Sequence, residues 1–394
     1  MIGFALLGSP LANGQSPSAQ QAVPDEALAA LGRSIFFDPS LSASGKLACA
    51  TCHDPRYAYG PPPGQALALG GQHADQPGTR AVPSLRYLRS SPPFALEHHF
   101  IDGDVGPVGG FTWDGRATSI HDQARLPLFA PNEMANANVP DVTRKLSRAR
   151  YANAFRLRFG KDVFEHPERA LAGALDALDA FQQTPKEFFP FSSRYDAFLR
   201  GEIDLTAQEE RGIALFKDQK KGNCASCHLS STRNGTPPIF TDYDFANVGV
   251  PRNPRIAANA DSAYFDQGLC GPARADLKDK QEYCGFFRAP GLRNVAARDA
   301  FFHNGVFASL RQAVEFYVNR DLQPERFYSH NADGSIQKSD DLPVGVPDTL
   351  DHDPPLDRSP EDAPALTDTE IDDVVVFLKT LTDADVAPAL DVRR

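Results

Sequence analysis

Two five-residue runs, Cys49-Ala50-Thr51-Cys52-His53 and Cys224-Ala225-Ser226-Cys227-His228, constrain this chain more than any other feature, using four of its six cysteines and two of its ten histidines. A Cys-x-x-Cys-His run is the attachment signature of a c-type haem. Two thiols three residues apart add to the two vinyl groups of one porphyrin, and the next residue offers an imidazole nitrogen to the iron from one face. Blander readings fit less well. A zinc site made of two Cys-x-x-Cys pairs closes over about 15–20 residues, whereas Cys49 and Cys224 stand 175 positions apart. A thioredoxin-like pair explains one Cys-x-x-Cys, but not a histidine directly after both. The sequence therefore predicts two covalently bound c-type haems, with His53 and His228 as iron ligands.

A chain of 394 residues exceeds one ordinary core, so two domains are expected. The net charge of -11, from 40 basic and 51 acidic residues, excludes a nucleic-acid partner, because nothing here would neutralise phosphates. It suits a basic protein partner, or simple solubility. Residues 1–12 read as the late part of a secretory signal without its basic beginning, or as a short disordered apolar terminus. No later stretch approaches the roughly 18 apolar residues of a membrane span. Cys270 and Cys284 bracket a polar loop and in an oxidising compartment form a disulfide, the alternative being two buried thiols.

The chain carries an internal duplication. Gly32-Arg33-Ser34-Ile35-Phe36-Phe37-Asp38 precedes the first haem run and Gly212-Ile213-Ala214-Leu215-Phe216-Lys217-Asp218 the second, so each half opens with a helix leading into its haem loop. Each half also closes on an amphipathic helix, with Leu171, Leu175, Leu178 and Phe181 in one and Ile371, Val374, Val375, Leu378 and Leu381 in the other. Capping boxes at Thr206/Glu209 and Thr367/Glu370 mark two of the starts. The expected fold is mainly α, with two cytochrome-c-like domains joined by long loops. The expected segments are a signal-like or disordered 1–23, a first haem domain over 24–190 and a second haem domain over 191–394 with a long acidic loop at 321–364. Gly103, Gly106, Gly109 and Gly110 have the wrong spacing for a phosphate loop and no clear strand before them.

Between the haem runs lies Trp113-Asp114-Gly115-Arg116-Ala117, then Gln123, Pro127 and Glu133-Met134. The second half has Pro290-Gly291-Leu292-Arg293-Asn294-Val295-Ala296 and Phe301-Phe302-His303-Asn304-Gly305. With these motifs in this order, from about Pro24 to Asp383, the chain resembles the bacterial di-haem cytochrome c peroxidase and MauG superfamily. The resemblance implies periplasmic export, hydrogen peroxide as oxidant and a protein partner. It implies that Glu133 is the acid–base group over the His53 haem, that Gln123 and Pro127 shape the same pocket, and that Trp113 lies between the haems. An isolated Glu is more often a solvated or capping acid and a lone Trp a core filler, so these roles rest on the match.

The second haem decides the branch. Peroxidases of this group give it a methionine as sixth ligand and MauG-type members a tyrosine; Met1 and Met134 are the only methionines here, and neither is in the second half. Tyr317 stands where the family's ligand occurs, on a helical face shared with Leu310 and Val314. A phenolate would lower the iron potential where a thioether raises it. An ordinary helix aromatic, with His303 or water at the iron, is the alternative. The family often binds calcium between its domains; here Ala81 replaces the Asn side chain, which leaves the carbonyls of Arg288 and Pro290. His73 reads as a solvent-exposed loop residue.

The function expected is a MauG-like oxidoreductase that reacts with hydrogen peroxide, stores oxidising equivalents as high-valent iron over both haems and oxidises an aromatic residue of a partner protein. The tail from Phe316 to Tyr328 resembles the methanobactin-associated MbnH group, which implies a tryptophan on that partner. A cytochrome c peroxidase drawing electrons from a small cytochrome is the first alternative, and a non-enzymatic di-haem electron carrier the second.

Overall fold

The computed structural model describes residues 25–386 apart from 100–104, 233–234, 332, 339, 344 and 347; the signal-like stretch 1–23 lies outside them. Most regular structure is helical. In chain order the helices are α1 (Glu26–Phe36), α2 (Cys49–Cys52), α3 (Ile120–Phe129), α4 (Val139–Arg148), α5 (Ala152–Phe159), α6 (Pro167–Gln182), α7 (Pro185–Phe188), α8 (Arg194–Leu199), α9 (Ala207–Lys217), α10 (Leu310–Asn319) and α11 (Asp368–Lys379). None is long and apolar enough to cross a membrane.

The duplicated openers are α1 and α9, and each packs on the closing helix of its own half. Their shared glycine has a packing reason. A Cβ on Gly32 would stand 1.8 Å from the Ala177 carbonyl oxygen of α6, and one on Gly212 2.1 Å from the Asp373 carbonyl oxygen of α11, so any side chain there would push the helix pair apart. One apolar cluster unites Leu31, Ile35 and Phe36 with Leu171, Leu175, Leu178 and Phe181 and ends at Phe188; the other begins at Tyr195 and gathers Phe216, Phe240, Ile371, Val374, Phe377 and Leu378. Each such fully buried side chain contributes about 1.5–3 kcal/mol.

Strands are short and paired antiparallel: β1 (Leu69–Gly70) with β2 (Gln76–Pro77), β3 (Ala95–His99) with β4 (Val105–Val108), and β5 (Phe245–Ala246) with β6 (Phe287–Arg288). The β3–β4 ribbon precedes and contains the glycines for which the sequence showed no strand. Glu97, His98 and His99 of β3 are all exposed and the buried residues of β4 are the adjacent Pro107 and Val108, so neither strand shows an alternation.

The halves repeat further than the haem runs. Residues 111–119 and 301–309 form the same turn: Phe111 bridges Ala117 as Phe301 bridges Phe307, Thr112 and Phe302 are both left-handed (φ 73° and 64°), and Ser119 and Ser309 cap α3 and α10 through their side chains. Pro83-Ser84-Leu85-Arg86 and Pro290-Gly291-Leu292-Arg293 also correspond, each followed by a left-handed residue, Tyr87 or Asn294. These parts are exchanged between halves. The Ala81 N–H donates to the His303 carbonyl at 2.7 Å, and the Arg288 N–H to the Trp113 carbonyl at 2.9 Å. A buried hub adds to the lock: Arg86, Tyr87 and Asn294 all donate to the Asp383 carboxylate, at 2.9, 2.7 and 2.7 Å.

Cys270 and Cys284 are bridged, with Cα atoms 5.0 Å apart. The loop they close carries Arg274, which donates to the Asp114 carbonyl at 2.9 Å beneath it. Replacing both cysteines by serine is expected to lower stability by about 3 kcal/mol, the chain-entropy contribution of a loop of about 15 residues. A fall in the urea midpoint checks this.

Candidate functional site

The two Cys-x-x-Cys-His histidines are held alike. His53 Nδ1 donates to the Tyr59 carbonyl at 3.1 Å and His228 Nδ1 to the Phe240 carbonyl at 2.9 Å. Tyr59 and Phe240 are both left-handed (φ 56° and 61°), a conformation that non-glycine residues adopt at a cost, and it aims each carbonyl at its imidazole. A proline carbonyl, from Pro83 or Pro290, faces the same ring. Burial lowers the His53 pKa to about 4 and lowers that of His228. Each ring is therefore neutral, with Nδ1 occupied and Nε2 left for an iron.

The thiols fit porphyrin attachment better than an ion. Burial pushes Cys49, Cys224 and Cys227 up to about 12 and Cys52 to about 11. Zinc needs thiolates, and among the described residues no group of three or more His, Cys, Asp or Glu side chains is placed to hold a metal ion unaided.

The first site gathers around α3. Gln123 and Pro127 sit one turn apart on it, and Pro127, lacking an N–H, leaves the Gln123 carbonyl without its helical donor. The turn after the helix folds back: Glu133 N–H donates to the Ala130 carbonyl at 3.0 Å, and Met134 N–H to that of Pro127 at 3.0 Å. Gly70 admits this turn, since a Cβ there would lie 2.1 Å from the Asn132 carbonyl oxygen. The Glu133 side chain keeps contact with solvent, and among the described residues its carboxylate has no hydrogen-bond or ion-pair partner. The surrounding protein raises its pKa, with Arg116 opposing. Its charge acts on both Cys49 and Cys52, which places it beside the first attachment run.

The second site is a cavity of about 280 Å³ whose wall includes Cys224, Cys227, His228, Leu310, Val314 and Tyr317. Burial raises the Tyr317 phenol well above its ordinary value, the nearby Cys227 and Cys224 adding to it. The repeat gives Tyr317 a counterpart: it is the eighth residue of α10, as Pro127 is the eighth of α3. Where one half points a phenol, the other has a proline ring.

Trp113 lies between the sites. It lines the His228 cavity, while its Nε1 donates at 2.7 Å to the carbonyl of Ala81, two residues before the proline that faces His53. Next to it Arg80 bridges Asp114 and Asp266, at 2.7 and 2.5 Å. Burial alone would raise Asp114, but Arg80 and Arg116 outweigh it and bring it down to about 2. His303, the counterpart of Trp113, stacks on Phe287 with centroids 3.5 Å apart; His73 is exposed.

The calcium expectation fits poorly. Ala81 offers no side-chain oxygen and its carbonyl is taken by Trp113, while the Pro290 carbonyl faces His228 rather than pairing with that of Arg288 around an ion. The carbonyl acceptors Tyr59 and Phe240, the Arg80 bridge and the exchange between halves went unread in the sequence. Aligning residues 111–120 with 301–310 exposes the exchange.

A family profile described as di-haem cytochrome c peroxidase matches residues 26–204. The chain is 36% identical over 390 residues to the methylamine utilization protein MauG of Paracoccus denitrificans, covering 96% of this chain and 94% of that one. It is 28% identical over 330 residues to the cytochrome c551 peroxidase of Nitrosomonas europaea, covering 82% and 83%. Among solved structures, the di-haem peroxidase BthA of Burkholderia thailandensis matches with a TM-score of 0.83 at 40% identity, covering 92% of this chain and 87% of that one.

Proposed function

Because the chain belongs to the di-haem cytochrome c peroxidase and MauG family, and so is a di-haem peroxidase-type oxidoreductase, we propose that it works in the periplasm, reacting with hydrogen peroxide on the His53 side and then oxidising an aromatic side chain, a tryptophan, of a partner protein. Covalent haems on Cys49/Cys52 and Cys224/Cys227 would supply the peroxide chemistry and hold the oxidising equivalents, with His53 and His228 as proximal ligands and Tyr317 as the second ligand at His228. Glu133 takes a proton from one peroxide oxygen and returns it to the other, a task suited to a carboxyl with a raised pKa and no competing partner. Gln123 and Pro127 shape the space in which it does so. Trp113, tethered through its indole N–H, spans the gap that electrons cross.

The observation that carries this reading is the Pro127/Tyr317 correspondence, in which the same helical position carries a proline in one half and a phenol in the other. Paramagnetic resonance of the ferric protein tests it. One high-spin and one low-spin haem are expected, the high-spin signal alone disappearing with stoichiometric peroxide. Two low-spin irons inert to peroxide would return the chain to the electron-carrier reading. Pro127→Tyr is expected to abolish the high-spin signal and bring the peroxide reaction, followed by stopped flow, down to background. The likeness to a cytochrome c551 peroxidase favours a second reading with the same peroxide chemistry and a small cytochrome as donor. Faster turnover with reduced cytochrome c than with any aromatic partner would select it.

A further inference from the structure

Four guanidinium groups line the central cavity, and two have carboxylate partners: Arg86 with Asp383 at 2.9 Å and Arg293 with Asp196 at 2.8 Å. Arg288 and Arg298 have no carboxylate within ion-pair distance among the described residues. Among the described residues the Arg288 side chain uses only its NH1, which donates to Ser91 Oγ and the Gly110 carbonyl, both at 2.9 Å. Arg298, too, ties the two halves together. Its Nε donates to the Ala300 carbonyl at 3.2 Å and its NH2 to the Val82 carbonyl at 3.0 Å, while NH1 makes no hydrogen bond among the described residues. The adjacent Asp299 turns its carboxylate to the Gly64 N–H at 2.7 Å.

Arg298 also sits on the wrong side of the molecule for its place in the chain. It follows the Val295–Ala297 turn of the second half, yet it reaches Val82 of the first and comes within 3.9 Å of the Cβ position of Gly60. Its charge acts on His53. Burial outweighs the opposing charge of Asp299 and brings the Arg298 pKa down to about 10. A buried cation is tolerated where an anion joins it, and a haem carries two carboxylates on its propionate arms.

We propose that Arg298, supplied by the second half, binds a propionate carboxylate of the haem attached through His53 and so sets that haem's reduction potential from across the domain boundary. The inference rests on the reading that Cys49, Cys52 and His53 hold a haem. A cation fixed beside a haem edge favours the electron-richer reduced state, because the interaction is strong in a low-dielectric interior.

Spectroelectrochemical titration of both haems in the holoprotein tests it. Arg298→Gln is expected to lower the midpoint of the His53 haem and move the His228 haem less; Arg298→Lys, which keeps the charge but not the forked geometry, shifts it less in the same direction and serves where the glutamine variant fails to take up haem. An unmoved His53-haem midpoint in both variants overturns the proposal. So does a shift confined to the other haem, or an equal shift in Arg288→Gln, which would mark a general effect of cavity charge. Wild-type protein with no haem on Cys49 and Cys52 overturns the underlying reading as well, whereas intact pigment with unmoved midpoints overturns this proposal alone.

Discussion

Glu133→Gln is expected to slow the reaction with hydrogen peroxide by about 10²–10⁴-fold, the range a positioned general acid–base group supplies, while both haem spectra stay as in the parent. The amide keeps the size and polarity of the side chain but cannot accept the peroxide proton. Stopped-flow rates against pH show the cause. Only the carboxylate form is a base, so the wild-type rate falls as pH drops through the Glu133 pKa. The protein packed around it raises that pKa although the residue itself is exposed, so the fall begins above the ordinary glutamate value of about 4.3. The variant lacks this limb. A variant that keeps both the rate and the acid limb would move the acid–base role to another group.

With Tyr317 as the proposed ligand, Tyr317→Phe is expected to turn a protein with one high-spin haem into one with two and to raise the midpoint potential of the His228 haem by removing an oxygen ligand that favours the oxidised metal. Burial raises the Tyr317 phenol far above neutrality, so the protein alone does not ionise it; a ferric iron would have to displace the proton, as bound cations do for their ligands. The oxidised state formed with peroxide then decays faster than in the parent, because one of its two stores has lost its stabilising ligand. Tyr317→Met restores a closed site at higher potential still. Paramagnetic resonance and spectroelectrochemistry report the ligation and potential, and an unchanged low-spin signal in Tyr317→Phe would exclude Tyr317 as the ligand.

The parts legible in the sequence were those written in local patterns. Leu171, Leu175, Leu178 and Phe181 repeat at helical spacing and are buried on α6, and the capping boxes at Thr206 and Thr367 begin α9 and α11 where they should. The attachment runs show themselves through residue type and spacing. The β3–β4 ribbon did not, because its exposed and buried residues fall in blocks rather than alternating. Nor did the acceptors for His53 and His228, because a backbone carbonyl carries no side-chain signature; only the left-handed geometry of Tyr59 and Phe240 reveals them. Arg298 is invisible for a third reason. Its NH1 makes no hydrogen bond among the described residues, and a sequence does not show which donor fails to pair.

The reciprocal bonds from Ala81 to His303 and from Arg288 to Trp113 mean that neither half is a portable module. Severing the polypeptide near residue 190 would strand a donor on each fragment, Ala81 on one and Arg288 on the other, and leave both the turn at 111–119 and the turn at 301–309 without the strap that the other piece provides. Each half would thus acquire its final shape only once the other has folded against it.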